Sequence, residues 1–199
     1  MKKIICLALF AMGLSVQAQI DLPTSATEIA PLLIGEKIPN VTLKSVENTA
    51  VNLTELIAKK RTILVFYRGG WCPYCNAHLA ALGEAEKQLL DLGYQIIAIS
   101  PDAPKSLKVT DDKEKLNYLL LSDSAGELSK AVGIAFEAPE NHKATITKGS
   151  EGVNSSFLPV PAVFVLNTNA EIEFEHITPS FKNRISNDML IAVAKSLNK

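Results

Sequence analysis

The stretch that most constrains this chain is TILVFYRGGWCPYC, residues 62–75. Thr62 to Tyr67 is β-branched and aromatic with no charge, the pattern of a strand buried on both faces. Gly69-Gly70 reads as a turn. Pro73 suits the first position of a helix, where its missing N–H costs nothing. A helical pattern then runs to about Leu92 on Leu79, Leu82, Leu89 and Leu92. Strand, glycine turn, cysteine, proline and helix in that order seat Cys72 at the helix N-cap. There the free N–H groups of Tyr74 and Cys75 face its sulfur, and with the positive end of the helix dipole they favour thiolate over thiol. Cys75 lies one turn on, close enough to close a small disulfide ring with Cys72.

Two other uses of such a pair compete with a reactive dithiol. A structural staple gains little here, because a four-residue ring stabilises by about 2 kcal/mol against about 4.7 kcal/mol for a loop of about 100 residues. A structural zinc site wants four ligands. His78 is three residues past Cys75, but His142 and His176 are distant in sequence, and His78 reads as an ordinary helix-surface residue. A copper or zinc carrier built on the two sulfurs remains an alternative.

Sulfur usage points the same way. Residues 1–18, MKKIICLALFAMGLSVQA, have a basic start at Lys2-Lys3 and an apolar run from Ile4 to Val16. They end in small residues at Val16-Gln17-Ala18, the pattern of a cleaved export signal. The run is too short for a spanning helix, which needs about 20 residues. Cleavage near Ala18 predicts a periplasmic or secreted product and removes Cys6, leaving Cys72 and Cys75 of the three cysteines. A disulfide-stapled exported protein spreads its cysteines along the chain; here they sit within four residues. The formal net charge of −1, with no basic cluster beyond Lys59-Lys60-Arg61, excludes nucleic acid as an expected partner. No later run is apolar enough for stable membrane insertion.

The remaining pattern is α/β. Residues 19–34 form a lead-in to one domain over 35–199. Val41–Leu43 and Ala50–Leu53 predict an N-terminal β-hairpin, and Thr54 to Lys60 a short helix capped by Thr54. Tyr94–Ser100 and Tyr118–Ser122 read as strands, Pro104–Leu116 and Ala125–Val132 as helices. Glu137 to Phe157 reads as a long loop or an insertion with some helix. Ala162–Asn167 and Glu171–Ile177 form a hairpin, and a last helix over Met189–Leu197 is capped by Asn187-Asp188. Strands alternating with helices, then a hairpin and a helix, predict a mixed central sheet flanked by helices.

FYRGGWCPYC, LLSDSAGELSKAVGIAF and LPVPAVFVLN together resemble the redoxin branch of the thioredoxin superfamily. More narrowly they resemble peroxiredoxin-like members of the alkyl hydroperoxide reductase C/thiol-specific antioxidant family, from about Gly35 to the C-terminus. The tetrapeptide CPYC also looks like a glutaredoxin active site. The resemblance implies a thioredoxin-like fold in which a cis Val160–Pro161 bond faces the dithiol and leaves the Val160 backbone free for an extended substrate. Trp71 and Tyr74 would flank the substrate groove, and Arg68 would steady a thiolate.

Two templates of that superfamily meet on the same residues. The thioredoxin template makes Cys72 the nucleophile and Cys75 the resolving thiol, but its buried acid falls at Phe66. The peroxiredoxin template makes Cys75 the peroxide-reacting sulfur. It then puts Cys72 where a Thr belongs, Arg68 where a Pro belongs, and no Arg near Pro161. Arg184, in PSFKNRIS, matches a position of the peroxiredoxin-like proteins to which the sequence gives no role. The reading favoured from sequence is thiol–disulfide exchange, with peroxide reduction as the alternative. Both cycles end in a Cys72–Cys75 disulfide, need no cofactor, and act on a protein disulfide or a hydroperoxide. Both also require a thiol electron donor, a thioredoxin-like carrier or a membrane electron conveyor.

Overall fold

The computed structural model describes residues 21–198, so the expected export signal lies outside the described residues. Its centre is a sheet whose inner strands are apolar on both sides. In chain order come β1 (Thr42–Ser45), β2 (Ala50–Asn52), α1 (Leu53–Ile57), β3 (Arg61–Phe66), α2 (Pro73–Asp91), β4 (Tyr94–Ser100), α3 (Pro104–Glu114) and β5 (Leu119–Ser122). Then follow α4 (Glu127–Ala131), β6 (Ala135–Glu137), α5 (Glu140–Gly149), β7 (Phe157–Pro159), β8 (Ala162–Leu166), β9 (Ile172–Ile177) and α6 (Asn187–Leu197).

The strands lie in the order β2-β1-β5-β4-β3-β8-β9. The three inner strands β5, β4 and β3 run parallel to one another, while β1 and β8 join them antiparallel. Because side chains alternate across a strand, β3, β4 and β8 each feed two cores. Ile63, Val65, Tyr67, Ile96, Ala98, Val163 and Val165 pack on one face with Cys72, Cys75 and the apolar side of α2 and α6. Leu64, Phe66, Ile97, Ile99, Ala162 and Phe164 pack on the other with α1, α4 and the lead-in. The dithiol therefore sits on the first face, at the end of the central strand β3.

Two local differences from the sequence reading have simple causes, and the region 137–157 takes the second of its expected forms, an insertion with some helix. The first helix is capped by Asn52, whose side-chain oxygen accepts the Glu55 N–H, and so starts one residue before Thr54. Ser186 in turn caps the last helix by accepting from Met189 N–H, ahead of the expected Asn187-Asp188. The region 137–157 holds a ten-residue helix, α5, bracketed by the small β6–β7 pair. Its sequence gives weak periodicity because it packs chiefly through Ile146 into a small satellite cluster with Ala138 and Leu158. The lead-in is tied down too: Leu32 N–H donates to Val132 and Ile38 N–H to Ala170.

The α5 insertion hangs on Asn154. Its buried side-chain oxygen accepts from Ser156 and Phe157 N–H at 3.0 and 3.1 Å, and its Nδ2 donates to the Phe157 carbonyl at 3.0 Å. Asn154→Ala removes all three in a site with little water, so it is predicted to cost about 1–3 kcal/mol in urea-monitored unfolding. A loss below about 0.5 kcal/mol, the level of an ordinary surface change, would show that the insertion is held by other contacts.

Candidate functional site

Beyond Phe66 the chain keeps strand geometry for one residue, with Tyr67 N–H donating to the Ile99 carbonyl at 3.0 Å. It then turns through Gly69, at φ +139°, a conformation that disfavours any side chain. A Cβ on Gly69 would also lie 2.5 Å from the Trp71 indole nitrogen, and one on Gly70 would collide with the Thr110 hydroxyl. Two bonds pin the turn: Gly70 N–H donates to Asp102 Oδ2 at 2.7 Å, and Asn76 Nδ2 donates to the Gly70 carbonyl at 2.9 Å. The turn delivers Cys72 to the N-cap of α2 in extended geometry, with Pro73 opening the helix as the sequence predicts. The sulfur makes no capping hydrogen bond of its own. The Cys75 N–H goes instead to the Cys72 carbonyl at 3.0 Å, while still presenting positive charge toward the sulfur.

Both cysteines are free thiols and both are buried. They share one proton unequally. The Cys75 thiol donates to the Cys72 sulfur, and this is the largest of the influences that bring Cys72 down to about 6; burial opposes it, and the Cys75 N–H, Arg68 and Arg184 assist it. Cys75 moves far the other way, first because its proton is held by Cys72, then through burial and the charge on Cys72. At neutral pH the pair is one thiolate, on Cys72, and one thiol, on Cys75.

Two guanidinium groups supply the opposite charge. Arg68, only 5% exposed, is not the solvated surface charge a turn residue usually is. Its guanidinium lies between the rings of Trp71 at 4.7 Å and Phe181 at 4.5 Å. Its Nη2 donates to His142 Nε2 on α5 at 3.1 Å. Arg184 comes from the segment before α6. Its Nη1 is tied to the Phe181 and Asn183 carbonyls, and its Nη2 donates to Cys75 Sγ at 3.4 Å. Among the described residues neither arginine forms an ion pair with a carboxylate, so their charge is available to the sulfurs.

The sequence expectations fare unevenly. Cys72, Cys75, Arg68, Trp71 and Tyr74 meet in one site. Trp71 is half-buried, and Tyr74 is exposed in edge contact with Phe181 at 5.8 Å. Val160 and Pro161 do not take the predicted part. The Val160–Pro161 bond is not cis, and the Val160 N–H is occupied by the Ile134 carbonyl at 2.9 Å. The Val160 side chain packs in the core on the other face of the sheet from the dithiol. The Val160 N–H that an extended substrate would have used is taken by the Ile134 carbonyl.

His78 also departs from expectation, since it is buried at 7% exposure rather than on the helix surface. Burial, then Arg184 and His176, hold its pKa down at about 4, which keeps the imidazole neutral at ordinary pH. Phe181, His142 and Asp102 join the site with no sequence signal beyond residue type. Arg184 carried a positional signal but no role. Among the described residues no three His, Cys, Asp or Glu side chains are placed to hold a metal ion. A groove of about 470 Å³ is lined by Tyr74, Ala77, His78, Lys182, Arg184 and Ile185 among others, and it meets the site through Tyr74 and Arg184 rather than through either cysteine.

Comparison with known proteins agrees with the fold and gives the family. The model of the AhpC/TSA family matches residues 34–175. Peroxiredoxin Bcp of Escherichia coli K12 is 27% identical over 162 residues, covering 81% of this chain and 94% of its own. The crystal structure of the peroxidoxin BcpB from Mycobacterium tuberculosis superposes with a TM-score of 0.67 at 16% identity, over 82% of this chain and 97% of its own. Reduced Prx3 of Vibrio vulnificus, solved in complex with hydrogen peroxide, gives 0.70 at 18% identity, over 82% and 99%. With its fold shared by solved peroxiredoxins and its family match covering the dithiol, the chain belongs to the AhpC/TSA family and has a thioredoxin-like peroxiredoxin fold.

Proposed function

We propose that this chain is a thiol peroxidase that reduces hydroperoxides with the Cys72–Cys75 dithiol. The observation that carries the reading is the placement of two buried free thiols at the start of α2 under two carboxylate-free guanidinium groups, one of which donates to Cys75 Sγ at 3.4 Å; Cys72 is the more acidic of the two sulfurs. The relatedness to peroxiredoxin Bcp favours it over disulfide exchange as the main activity.

The chemistry follows from the ionisation. The Cys72 thiolate attacks the terminal oxygen of ROOH, the O–O bond breaks, and the departing alkoxide takes up a proton to leave as ROH. Cys72 is now a sulfenic acid. Cys75 attacks that sulfur, the S–O bond breaks, and hydroxide with the Cys75 proton leaves as water. The product is the Cys72–Cys75 disulfide, which a dithiol donor reduces by exchange. Arg68 and Arg184 stabilise the negative charge that passes from sulfur to oxygen in the first step. This order assigns the peroxide step to Cys72, where the peroxiredoxin template assigned it to Cys75. The physical reason is that Cys75 holds the shared proton.

A second reading, disulfide exchange with protein substrates, is favoured by one feature. Tyr74 and Phe181 are 41% and 38% exposed beside the dithiol, an aromatic rim suited to a partner chain. In either case the donor is a thioredoxin-like carrier or a membrane electron conveyor, and the site of action is the periplasm or the exterior. The described residues contain no helix long and apolar enough to cross a membrane.

Stopped-flow mixing of the reduced protein with peroxide separates these readings. Cys75→Ser is predicted to react and hold a sulfenic acid that dimedone traps at Cys72, whereas Cys72→Ser reacts at least about 100-fold more slowly, like an unactivated thiol. Slow peroxide reaction by the unmutated protein, with rapid reduction of a test disulfide, would assign the chain to exchange.

The guanidinium role gives a pH test. Removing either charge raises the Cys72 pKa, so Arg68→Leu and Arg184→Leu shift the rise of peroxide reactivity upward by about 1 pH unit. Unchanged profiles in both variants would remove the arginines from the mechanism.

A further inference from the structure

Both arginines of the site rest on neutral contacts, and one residue supplies a contact to each. The peroxiredoxin template places an arginine near Pro161, and the sequence has none there. The second guanidinium arrives by another route. After β9 the chain leaves the sheet beside Pro161, where Thr178 N–H donates to the Pro161 carbonyl at 3.1 Å. Asn183 N–H then donates to the Ser180 carbonyl at 3.1 Å, closing a turn over residues 180–183 with Phe181 as its second residue. The Phe181 carbonyl accepts from Arg184 Nη1 at 2.7 Å. The Phe181 ring lies 4.5 Å from the Arg68 guanidinium and 5.8 Å from the ring of Tyr74. The family model ends its match at residue 175, so the shared family pattern does not supply this turn.

The contacts of Arg68 are unequal in what they fix. Trp71, at 4.7 Å, sits three residues on in the same glycine turn and moves with it. His142 gives one hydrogen bond from α5 at 3.1 Å. Phe181 is the contact that ties Arg68 to the segment bearing Arg184. An aromatic face attracts a cation without neutralising it, whereas a carboxylate in its place would cancel the charge. The titratable and charged groups that act on Cys72 are Cys75, Arg68 and Arg184. Lys182, on the same turn, has its Nζ 6.0 Å from the Phe181 ring. Coulomb attraction falls with distance, so a guanidinium that drifts from its seat loses its hold on the sulfur's charge.

We infer that Phe181 is a positioning residue for both guanidinium groups, its ring seating Arg68 and its carbonyl seating Arg184 where their charges reach Cys72. It acts on the sulfurs only through the two arginines, and so is not itself a catalytic residue. The inference rests on the part given to the arginines under the proposed function, but not on peroxide being the substrate. The ring is 38% exposed, so its replacement leaves the core closed.

Alkylation of Cys72 by iodoacetamide, followed against pH in the reduced protein, reads the ionisation of that sulfur without peroxide. Easier access to the sulfur changes the plateau rate and leaves the midpoint in place. Phe181→Leu keeps an apolar side chain and the carbonyl but loses the aromatic face. Its midpoint is predicted to rise by about 0.5–1 pH unit, while Phe181→Tyr, which keeps the face, holds the midpoint of the unmutated protein. Added to Arg68→Leu, Phe181→Leu is predicted to shift the midpoint less than it does alone, because the charge it seats is gone. The same shortfall with Arg184→Leu reads the carbonyl contact, since loss of the ring frees the turn that carries it. An unmoved midpoint in Phe181→Leu, even with a lowered melting temperature, would mean that the ring only packs, and the inference would be wrong. An equal rise in Phe181→Tyr, or full additivity with either arginine, would overturn it as well. If Arg68→Leu and Arg184→Leu alone leave the midpoint in place, the inference falls together with the arginines' part in the proposed function. If they move it and Phe181→Leu does not, the inference falls alone.

Discussion

One proton shared between two sulfurs at the start of a helix is the constraint on which the rest of this site depends. Pro73 forces the helix to begin where it does, so Cys72 is the N-cap and Cys75 lies one turn inside. The chain around the pair keeps the sharing unequal. Gly69 and Gly70 let the backbone run close enough to Asp102, Thr110 and Trp71 that no side chain fits. With the turn fixed, the outer sulfur takes the charge and the inner sulfur keeps the proton, and their chemical roles diverge.

The surrounding cations make sense against that division. Burying an arginine without a carboxylate is costly, and two are buried or half-buried here. Arg68 recovers part of the cost from two aromatic faces, each contributing about 0.5–2 kcal/mol, and from a neutral His142 acceptor. Arg184 is held by two backbone carbonyls. A paired carboxylate would stabilise either residue further, but it would also cancel the charge that the thiolate needs. Burial first, and then the charge on Arg184, lowers the proton affinity of both His78 and His176, which disfavours a competing cation at either ring.

Much of this was legible in the sequence, and the parts that were not have a common physical cause. The charge-free strand, the glycines and Cys-Pro are local signals, and they fixed the position of the dithiol because a few adjacent residues determine it. The doubly buried strands β3 and β4 were equally readable, since composition alone reports burial on both faces. Arg184 and Phe181 reach the site from a loop more than a hundred residues downstream, and their placement is a property of the closed fold. His78 was misread because the groups that approach it, His176 on β9 and Arg184 before α6, come from about a hundred residues downstream. Val160-Pro161 was given a substrate role by resemblance, and the Ile134 carbonyl withdrew it by taking the Val160 N–H. α5 was blurred because it meets the rest of the chain through few apolar side chains.

The most direct test counts thiolates. Ultraviolet titration of the reduced protein, following thiolate absorbance, is predicted to show one ionisation per chain centred near pH 6 and no second one through the range where an ordinary thiol ionises, about 8–9. Two ionisations together in that ordinary range would mean that the sulfurs share nothing, and the account of the site built on them would be contradicted.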